Sequence, residues 1–442
     1  MPDFDRLSSK SFELDAECRH KSVICRRKHD GLLWLAQMER SGGTTGMATR
    51  SERSSTLIGA GSVLRLIRDG EAVTRTDLAR RTGLARSTVA QRVETLLAHE
   101  LVYEAGGSTS TGGRPPTVLA FNHEVGVVLA ADLGATHSRI AVSDLSGSPL
   151  AEHAFEMEIA EGPEKVLAQV DEEFGGLLRE VGRSAADVRG IGMGVPGPVA
   201  FAEGRPVNPP IMPGWDGFSI PAWFAPRYDA PVLVDNDVNI MALGEHWTTW
   251  RHVEHLLFVK VGTGIGCGIV AGGAIHRGSQ GAAGDIGHIH VDGHDDVLCR
   301  CGNVGCLEAV AGGAALARAL EAAGEDARGS RDVVRLVRAG NAQAGRLVRE
   351  AGRTLGEVLA AAVNFFNPGV IVLGGDLSEA HEPLLAGVRE VTFQRSLPLA
   401  TQSLQTVPSA LGDRAGVIGA AIMVIEHVLA PEAIDRALQG AA

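Results

Sequence analysis

The chain of 442 residues has only six cysteines, five lysines and no long apolar run. Cys18, Cys25 and Cys267 are scattered and the other three are clustered, which is no disulfide framework and favours a reducing compartment. No stretch reaches the about 18–20 apolar residues of a membrane span, and no secretory signal is visible, so we expect a soluble, cytoplasmic protein without membrane contact. The scarcity of lysine among the 41 basic residues, with abundant Ala and Gly, indicates a GC-rich genome rather than a function.

The clustered cysteines form a motif with one histidine. Three thiolates and one imidazole complete a tetrahedral zinc site and leave no position for water, which is typical of a structural metal. Gly302 and Gly305 allow the short loop to fold back on one centre. The alternative is a set of buried free cysteines. The predicted ligands are His288, Cys299, Cys301 and Cys306.

Charge is unevenly distributed along the chain. Residues 1–120 carry 18 Lys and Arg against 14 Asp and Glu, whereas the remaining residues carry 23 against 39. A basic N-terminal segment in an otherwise acidic chain predicts that any polyanion binds to the N-terminal segment.

Residues 1–54 show no sustained helical or strand period. They mix charges, scattered apolar residues and a Ser/Gly/Thr run, which is typical of disorder. Either this segment is a flexible leader or the start codon lies too far upstream, with Met47 as a better start.

Residues 55–122 have the pattern of three helices followed by a β-hairpin. A first apolar helix ends near Asp69, and Thr74 opens a second helix with a capping box in which Asp77 replaces the usual Glu. Gly83 makes a tight turn into the third helix. The predicted second and third helices cover 75–82 and 85–99, and the strands cover 101–104 and 118–121.

This order resembles a winged helix-turn-helix DNA-binding domain. The exposed side of the third helix carries Arg, Ser, Thr and Gln side chains that can donate hydrogen bonds to bases and phosphates in a major groove. The wing ends in an arginine that can reach the neighbouring backbone. The alternative is a small helical bundle with a solvated Arg face. The predicted DNA contacts are Arg86, Ser87, Thr88, Gln91, Arg92 and Arg114.

From residue 123 the pattern becomes α/β. Continuous apolar runs with β-branched residues predict buried strands, and long Ala-rich segments predict helices. A strand, an Asp/Gly turn and a second strand recur at 125–142 and 255–270, which indicates two related lobes. The predicted strands are 125–131, 140–142, 190–195, 231–234, 255–261 and 370–373, and the predicted helices are 163–181, 309–323, 331–339 and 342–366.

Two strands end in small residues with a Thr hydroxyl at the turn. Such a turn can bring backbone N–H groups close to a phosphate. Asp132 can hold Mg²⁺ through water, and Thr136 and Thr263 can donate hydrogen bonds to phosphoryl oxygens. Either turn alone can also be an ordinary tight turn.

Polar residues at 235–239 stand between a strand and a helix, where ligand contacts are common. The alternative is an Asx-type turn that caps the helix. A second polar segment, 278–288, leads into the zinc loop.

As a set, residues 55–430 resemble the ROK family of repressors, sugar kinases and unassigned frames. The zinc loop with Gly305 to Glu308, the block 284–288, and the segments 194–198 and 367–375 carry the resemblance. It implies a two-lobed actin-like (ribonuclease H-like) sugar-kinase fold. The expected domains are a leader (1–54), a winged helix-turn-helix (55–122), a first lobe (123–240) and a second lobe (241–442) with its final helix packed on the first.

The resemblance also implies site residues. Asp237 falls where the kinases keep the base that accepts the proton of the sugar hydroxyl. The sugar-contacting positions are Asn236, Asp237, Asp285, His288 and Glu308. The phosphate and nucleotide positions are Asp132, Gly134, Thr136, Gly262, Thr263, Gly264, Gly374 and Gly375.

Two departures from the kinase pattern bear on activity. Ala135 replaces the second Gly of Asp-x-Gly-Gly-Thr, and Asp285 replaces the Glu before Ile-Gly-His. We therefore expect a sugar-responsive transcriptional regulator, a repressor of carbohydrate-utilisation genes, that binds a double-stranded DNA operator and a small sugar or sugar phosphate as a homodimer or dimer of dimers. The alternative is an ATP- and Mg²⁺-dependent hexose or N-acetylhexosamine kinase.

Overall fold

The computed structural model describes residues 58–106, 117–380 and 382–440. The expected leader, Met47, and the wing tip with Arg114 lie outside these ranges. In the N-terminal part, α1 (Ala60–Arg68), α2 (Arg75–Thr82) and α3 (Arg86–Ala98) precede the antiparallel strands β1 (Val102–Ala105) and β2 (Val118–Phe121). The predicted helix-turn-helix followed by a hairpin is confirmed.

The turn between α2 and its predecessor is fixed by side chains, as the sequence predicts. The hydroxyl of Thr74 accepts a hydrogen bond from the backbone N–H of Asp77 at 3.1 Å, and it donates to the Asp77 carboxylate at 2.7 Å. The shorter Asp therefore bonds the hydroxyl of the cap rather than its backbone. Gly83 ends α2 with φ at 71°, a left-handed conformation that suits glycine.

The first lobe is built on a five-stranded sheet with the order β5-β4-β3-β6-β9. The strands β3, β4 and β5 form an antiparallel meander, and β6 and β9 add parallel to β3. Its elements are β3 (Val127–Leu133), β4 (His137–Asp144), β5 (Pro149–Glu156), α4 (Pro163–Glu180), β6 (Val188–Val195), β7 (Val199–Ala200), β8 (Arg205–Pro206), α5 (Ile220–Phe224) and β9 (Val232–Asn236).

The second lobe repeats this topology in the order β12-β11-β10-β13-β14. The expected pair of related lobes and the α/β kinase-like class are confirmed. Its elements are α6 (Asp237–Thr248), β10 (Leu256–Val261), β11 (Ile265–Ala271), β12 (Ala274–Ile275), α7 (Leu307–Ala311), α8 (Gly313–Ala322), α9 (Ser330–Arg338), α10 (Ala342–Phe366), β13 (Val370–Gly374), α11 (Glu382–Arg395), α12 (Pro398–Thr401), β14 (Gln405–Pro408), α13 (Ala415–Val428) and α14 (Pro431–Gly440).

The single helix predicted over 309–323 is wrong, because the chain breaks at Gly312 into α7 and α8. The N–H of Gly313 donates to the carbonyl of Gly262 at 2.7 Å, so the backbone of α8 sits directly on a neighbouring turn. A Cβ atom at Gly313 would lie 2.6 Å from that carbonyl oxygen. The contact needs a break and a glycine, which helical periodicity does not reveal.

Helix α13 returns to the first lobe and packs on β3, β6 and α6. One hydrophobic cluster contains residues of α1, α3, β3 and α13, so the N-terminal domain and the first lobe share a core. In the described part of the chain, no single helix is long and apolar enough to span a membrane; one bent pair, Gly412–Val428 with Pro431–Gln439, reaches the necessary length and composition together.

Candidate functional site

A cleft of about 1010 Å³ is lined by residues of both lobes. It brings together most of the positions predicted for sugar and phosphate. Of the predicted positions, those that line it are Asp132, Gly134, Thr136, Asn236, Asp237, Gly262, Thr263, Gly264, Asp285, His288, Cys299, Cys301, Glu308 and Gly375. Gly374 is buried inside β13, against Phe258, and does not line the cleft.

Asn236 and Asp237 stand where β9 ends and α6 begins. The Asn236 side chain caps α6 by accepting from the N–H of Val238 at 3.0 Å, and its amide donates to the carbonyl of Gly197 at 3.1 Å. The Asx-type cap considered as an alternative is therefore present. Asn236 and Asp237 also face the cleft, so capping and ligand contact are compatible here.

Asp237 is engaged by two donors. Its Oδ1 accepts from the N–H of Val238 at 2.8 Å, and its Oδ2 accepts from the ammonium of Lys260 at 2.5 Å. The side chain of Asp237 is 6% exposed and that of Lys260 is 25% exposed. Sequence analysis missed Lys260; the available signal was a rare lysine in an apolar strand, two residues before the Gly262-Thr263 turn.

Charges in the cleft act on one another. Burial lowers the pKa of Lys260, but Asp237 and Asp132 outweigh this effect and leave the pKa above its usual value. Burial raises the pKa of Asp132 to about 7; Asp237 adds to this rise, while Lys260 and Arg139 oppose it. Asp132 is thus the carboxyl of the cleft that titrates near neutral pH.

Helix α13 approaches Asp132 closely. A Cβ atom at Gly416, in its first turn, would lie 1.9 Å from Oδ2 of Asp132. A helix N-terminus carries partial positive charge and unpaired N–H groups, so it suits a carboxylate or a ligand oxygen. Any larger residue than glycine at 416 would displace either the Asp132 side chain or the helix.

Glu308 enters the cleft beside the second Gly/Thr turn. Its Oε2 accepts from the N–H of Ile265 at 3.2 Å. A Cβ atom at Gly264 would lie 2.1 Å from the same oxygen. The glycine at 264 therefore makes room for Glu308, which is a different role from the phosphate contact predicted for it.

The phosphate turns are partly occupied by their own hydrogen bonds. The N–H of Gly134 donates to the carbonyl of His137 and the N–H of Gly262 to that of Gly264, both at 2.9 Å. Thr136 and Thr263 are exposed in the cleft. Gly375 has φ at 79°, and a Cβ there would lie within 3.0 Å of the backbone of Val261.

The four predicted metal ligands converge on one point. Their ligand atoms all lie within 4.8 Å of one another, with Cys299 Sγ 3.7 Å from His288 Nδ1 and Cys301 Sγ 3.7 Å from Cys306 Sγ. Tetrahedral zinc with Zn–S bonds of about 2.3 Å separates its sulfurs by about 3.8 Å, so the set fits a metal ion.

The backbone of this loop is organised for convergence. Gly302 and Gly305 have φ at 92° and 68°, as the predicted turn requires. The Nε2 atom of His288 lies 4.0 Å from the carboxylate of Asp285, on the cleft side of the ring. One imidazole thus joins the candidate metal centre to the candidate sugar site.

The predicted DNA contacts form a separate surface. Arg86, Ser87 and Gln91 are exposed on α3, and Thr88 and Arg92 are half-buried. Arg75 pairs with Glu94 of α3 at 3.0 Å and with Glu104 of β1 at 2.9 Å, which holds the helices against the hairpin.

Comparison with known proteins agrees with this division of the chain. The ROK family profile matches residues 128–427, and the IclR helix-turn-helix domain profile matches residues 60–106. A putative xylose repressor of Caldicellulosiruptor sp. (strain Rt8B.4) is 32% identical over 382 residues, which cover 83% of this chain and 95% of that protein.

Solved structures are similar over the same regions. A ROK family transcriptional regulator, a homolog of the E. coli MLC protein, covers 86% of this chain and 98% of its own, with a TM-score of 0.73 and 27% identity. A glucokinase from Streptomyces griseus, in complex with glucose and AMPPNP, covers 68% of this chain and 99% of its own, with a TM-score of 0.60 and 27% identity.

Proposed function

Because the chain belongs to the ROK family, we propose that it is a sugar-responsive DNA-binding transcriptional regulator, a repressor of carbohydrate-utilisation genes. The observation that carries this function is one hydrophobic cluster shared by an IclR-type helix-turn-helix and the lobe that contains Asp132. The DNA-binding domain and the cleft, whose polar residues suit a sugar, are therefore packed on one another.

The DNA-binding part is the helix-turn-helix, with α3 as the recognition helix. We assign base contacts to its exposed N-terminal half and a backbone contact to Arg114 in the wing. A two-fold symmetric operator fits a homodimer or a dimer of dimers, because each of its two half-sites binds one helix-turn-helix domain. We keep 55–122, 123–240 and 241–442 as the functional domains.

The effector is a small sugar. Asn236, Asp237, Asp285, His288 and Glu308 offer carboxylate, amide and imidazole groups to hydroxyls. Xylose is the first candidate because a relative of 32% identity is called a putative xylose repressor. The response requires that the sugar bind one arrangement of the lobes more tightly than another, since equal binding shifts nothing.

We assign zinc to the Cys3His set as a structural ion. With four protein ligands it has no open position for chemistry, and its contribution is to hold His288 and the start of α7 in place. It couples loop folding to the sugar site because His288 belongs to both.

We propose binding without turnover, although the family includes kinases. Ala135 narrows the approach to phosphate, and Asp285 is one methylene shorter than the kinase Glu. A regulator that phosphorylated its effector would also remove the signal that it measures. A coupled ADP-release assay over a sugar panel, with Asp237→Asn as control, decides this: sustained turnover lost in that variant would establish a kinase.

The regulatory function is tested with DNA from the chain's own genomic neighbourhood. We expect the purified protein to retard such DNA at low salt and one sugar of a panel of pentoses, hexoses, N-acetylhexosamines and their phosphates to change that affinity. The same sugar should raise the melting temperature of the wild type and not of Asp237→Asn. Absence of any retardation, with and without sugars, would contradict the proposal.

A further inference from the structure

Two carboxyl groups, Asp132 and Asp237, face the cleft where a phosphoryl-transfer site would hold Mg²⁺ and its general base. Lys260 lies in the same wall, with its ammonium 2.5 Å from Asp237. Asp237 and Asp132 are also the two acids that act most strongly on the charge of Lys260. One internal cation thus forms an ion pair with Asp237 and lines the same cleft as Asp132.

We propose that Lys260 is the resident cation of this cleft: it pairs with Asp237 and places a positive charge in the wall that also carries Asp132, so that the cleft binds sugar without a divalent metal ion and without activating a sugar hydroxyl. The proposal rests on the proposed function, in which the cleft is a sensor. It identifies Lys260 as the residue that distinguishes a sugar-sensing cleft from one that transfers a phosphoryl group.

The sheet is built to give this lysine access to Asp237. Lys260 stands in register with Gly266 of β11 and Gly374 of β13. Residues directly opposite one another on neighbouring strands point to the same face, so a side chain at either position would flank the lysine. A Cβ at Gly266 would lie 2.9 Å from Val238, the residue after Asp237. The glycine at 266 therefore lets the first turn of α6, which carries Asp237, pack closely on the strand beside Lys260.

The ion pair occupies the carboxylate that a kinase would use as its general base. A general base must accept a proton from the substrate hydroxyl. Here Oδ2 of Asp237 faces an ammonium and Oδ1 faces the N–H of Val238. The carboxylate can still accept a hydrogen bond from a sugar hydroxyl, but each oxygen already has a donor. A divalent cation at the same carboxylates would also be repelled by the ammonium.

The direct test measures divalent cation binding, with Mn²⁺ as the probe. The full-length, zinc-loaded protein is titrated with Mn²⁺ while electron paramagnetic resonance follows the free aqua ion. We expect Lys260→Met to bind one Mn²⁺ per chain at least about tenfold more tightly than the wild type, because a nearby positive charge is gone. Adding Asp132→Asn to that variant should abolish the gain.

Matched controls separate charge from general damage. Lys165 is an exposed lysine on α4, 67% exposed and paired with Glu161, so Lys165→Met removes a lysine far from the carboxylates. It should bind Mn²⁺ as the wild type does, and so should Lys260→Arg, which keeps the charge. Circular dichroism confirms that each variant is folded.

Two results would overturn the proposal. The first is a folded Lys260→Met with no gain in Mn²⁺ affinity. The second, which needs no change at Lys260, is a wild type that binds Mn²⁺ in the cleft and loses it with Asp132→Asn. The second comparison stands even where Lys260→Met does not fold. A chain that binds neither DNA nor sugar, yet gains Mn²⁺ with Lys260→Met, would refute the proposed function and support Lys260 as the resident cation.

Discussion

The environment of the Asp132 side chain makes the stability of the protein depend on pH between acid and neutral values. Burial holds its pKa at about 7, against 3.8 in an unperturbed chain. In the unfolded chain the carboxyl therefore ionises first as pH rises, which favours unfolding. The wild type loses stability from this group between about pH 4 and pH 7, and the loss is complete above pH 7.

Asp132→Asn should remove this loss. At 1.36 kcal/mol per pKa unit, the variant should be more stable than the wild type at pH 8 by up to about 4 kcal/mol, and equally stable near pH 4. Urea unfolding at both pH values measures the difference. Asp187→Asn is the control and should lower, not raise, the stability at pH 8, because hydrogen bonds from Ser184 hold the pKa of Asp187 below its usual value. The same Asp132→Asn difference at both pH values would contradict the assignment.

The role of a site residue could be predicted from the sequence where the residue belongs to a family motif. It could not be predicted where only the folded structure brings the residue into the site. Asp237 and Glu308 follow from family motifs, and both line the cleft. Lys260 belongs to no motif that sequence analysis used, and its ion pair with Asp237 depends on the packing of α6 on β10 and β11. Gly264 was assigned to phosphate, but the packing of Glu308 against it gives it a steric role.

Among the structural elements, the loop that carries His288 and the three cysteines is the one that we expect a bound metal ion to stabilise. Its ordered backbone is short, with isolated bridges between His290 and Cys306 and between Leu298 and Val304. The rest of the loop is held by single backbone hydrogen bonds, such as that from the N–H of Cys299 to the carbonyl of Asn303 at 2.8 Å, rather than by a helix or a sheet. We therefore expect a bound metal ion to contribute much of the stability of this loop.

Cys301→Ser should therefore lower the zinc content from about one ion per chain towards zero and weaken sugar binding through His288 and Glu308. Metal analysis by mass spectrometry and a thermal-shift titration with sugar measure the two effects. Cys267→Ala is the matched control, since Cys267 lies outside the cluster and should leave the zinc content unchanged. Retention of a full zinc equivalent by Cys301→Ser would contradict a four-ligand site.

Helix α3 and the wing should contribute to DNA binding in different ways. Gln91→Ala should change sequence preference, since a side-chain amide reads base edges, at a cost of about 1–3 kcal/mol for the preferred operator. Arg114→Ala should weaken binding to most sequences alike and flatten the salt dependence. Electrophoretic shifts over an operator library at two salt concentrations measure both. Arg436→Ala, an exposed change on α14, is the control; equal effects of the first two variants would mean that the recognition helix is misplaced.

Helices and strands were predicted best where their burial produces a regular pattern of apolar residues in the sequence. The apolar strands and the long helix Ala342–Phe366 appear as expected. Strand β5 was not predicted, because it lies at the edge of its sheet and has exposed residues over much of its length. The break between α7 and α8 was also missed, because its cause is a contact with residues 262–263, some 50 positions earlier.

In the molecule as a whole, α13 connects the cleft with the DNA-binding domain. Its first turn packs on Asp132 through Gly416, and its last turns belong to the hydrophobic cluster shared with α1 and α3. A helix of 14 residues spans about 21 Å at 1.5 Å per residue. Near its end, Glu426 pairs with Arg68 of α1 at 3.1 Å. We therefore expect a shift of the cleft end of α13 to reach the base of the helix-turn-helix.

Helix α14 completes this connection through Asp435. The N-cap residue of α1 is Gly59, which has no side chain that could accept a hydrogen bond from the helix. The Asp435 carboxylate accepts one instead, from the N–H of Gly61 at 2.9 Å. A residue distant in sequence thus caps the first helix of the DNA-binding domain. Cβ atoms at Gly59 and Gly61 would lie 1.7 Å from Asp435 and 2.1 Å from the carbonyl of Pro431, so the two helices pack at backbone distance.

Asp435→Ala should weaken the coupling between sugar binding and DNA binding. Loss of a helix cap costs about 1 kcal/mol, and the contact between α14 and α1 should loosen. We expect sugar affinity to be unchanged, because Asp435 is absent from the cleft lining, while the change in DNA affinity caused by sugar should fall severalfold. Fluorescence anisotropy with labelled operator, with and without saturating sugar, measures that coupling. Glu432→Ala removes an exposed acid from the same helix and should keep it. If Asp435→Ala retained the full sugar response, the signal would have to reach the DNA-binding domain through α13 alone, because its ion pair with Arg68 and its share of the common core would remain intact.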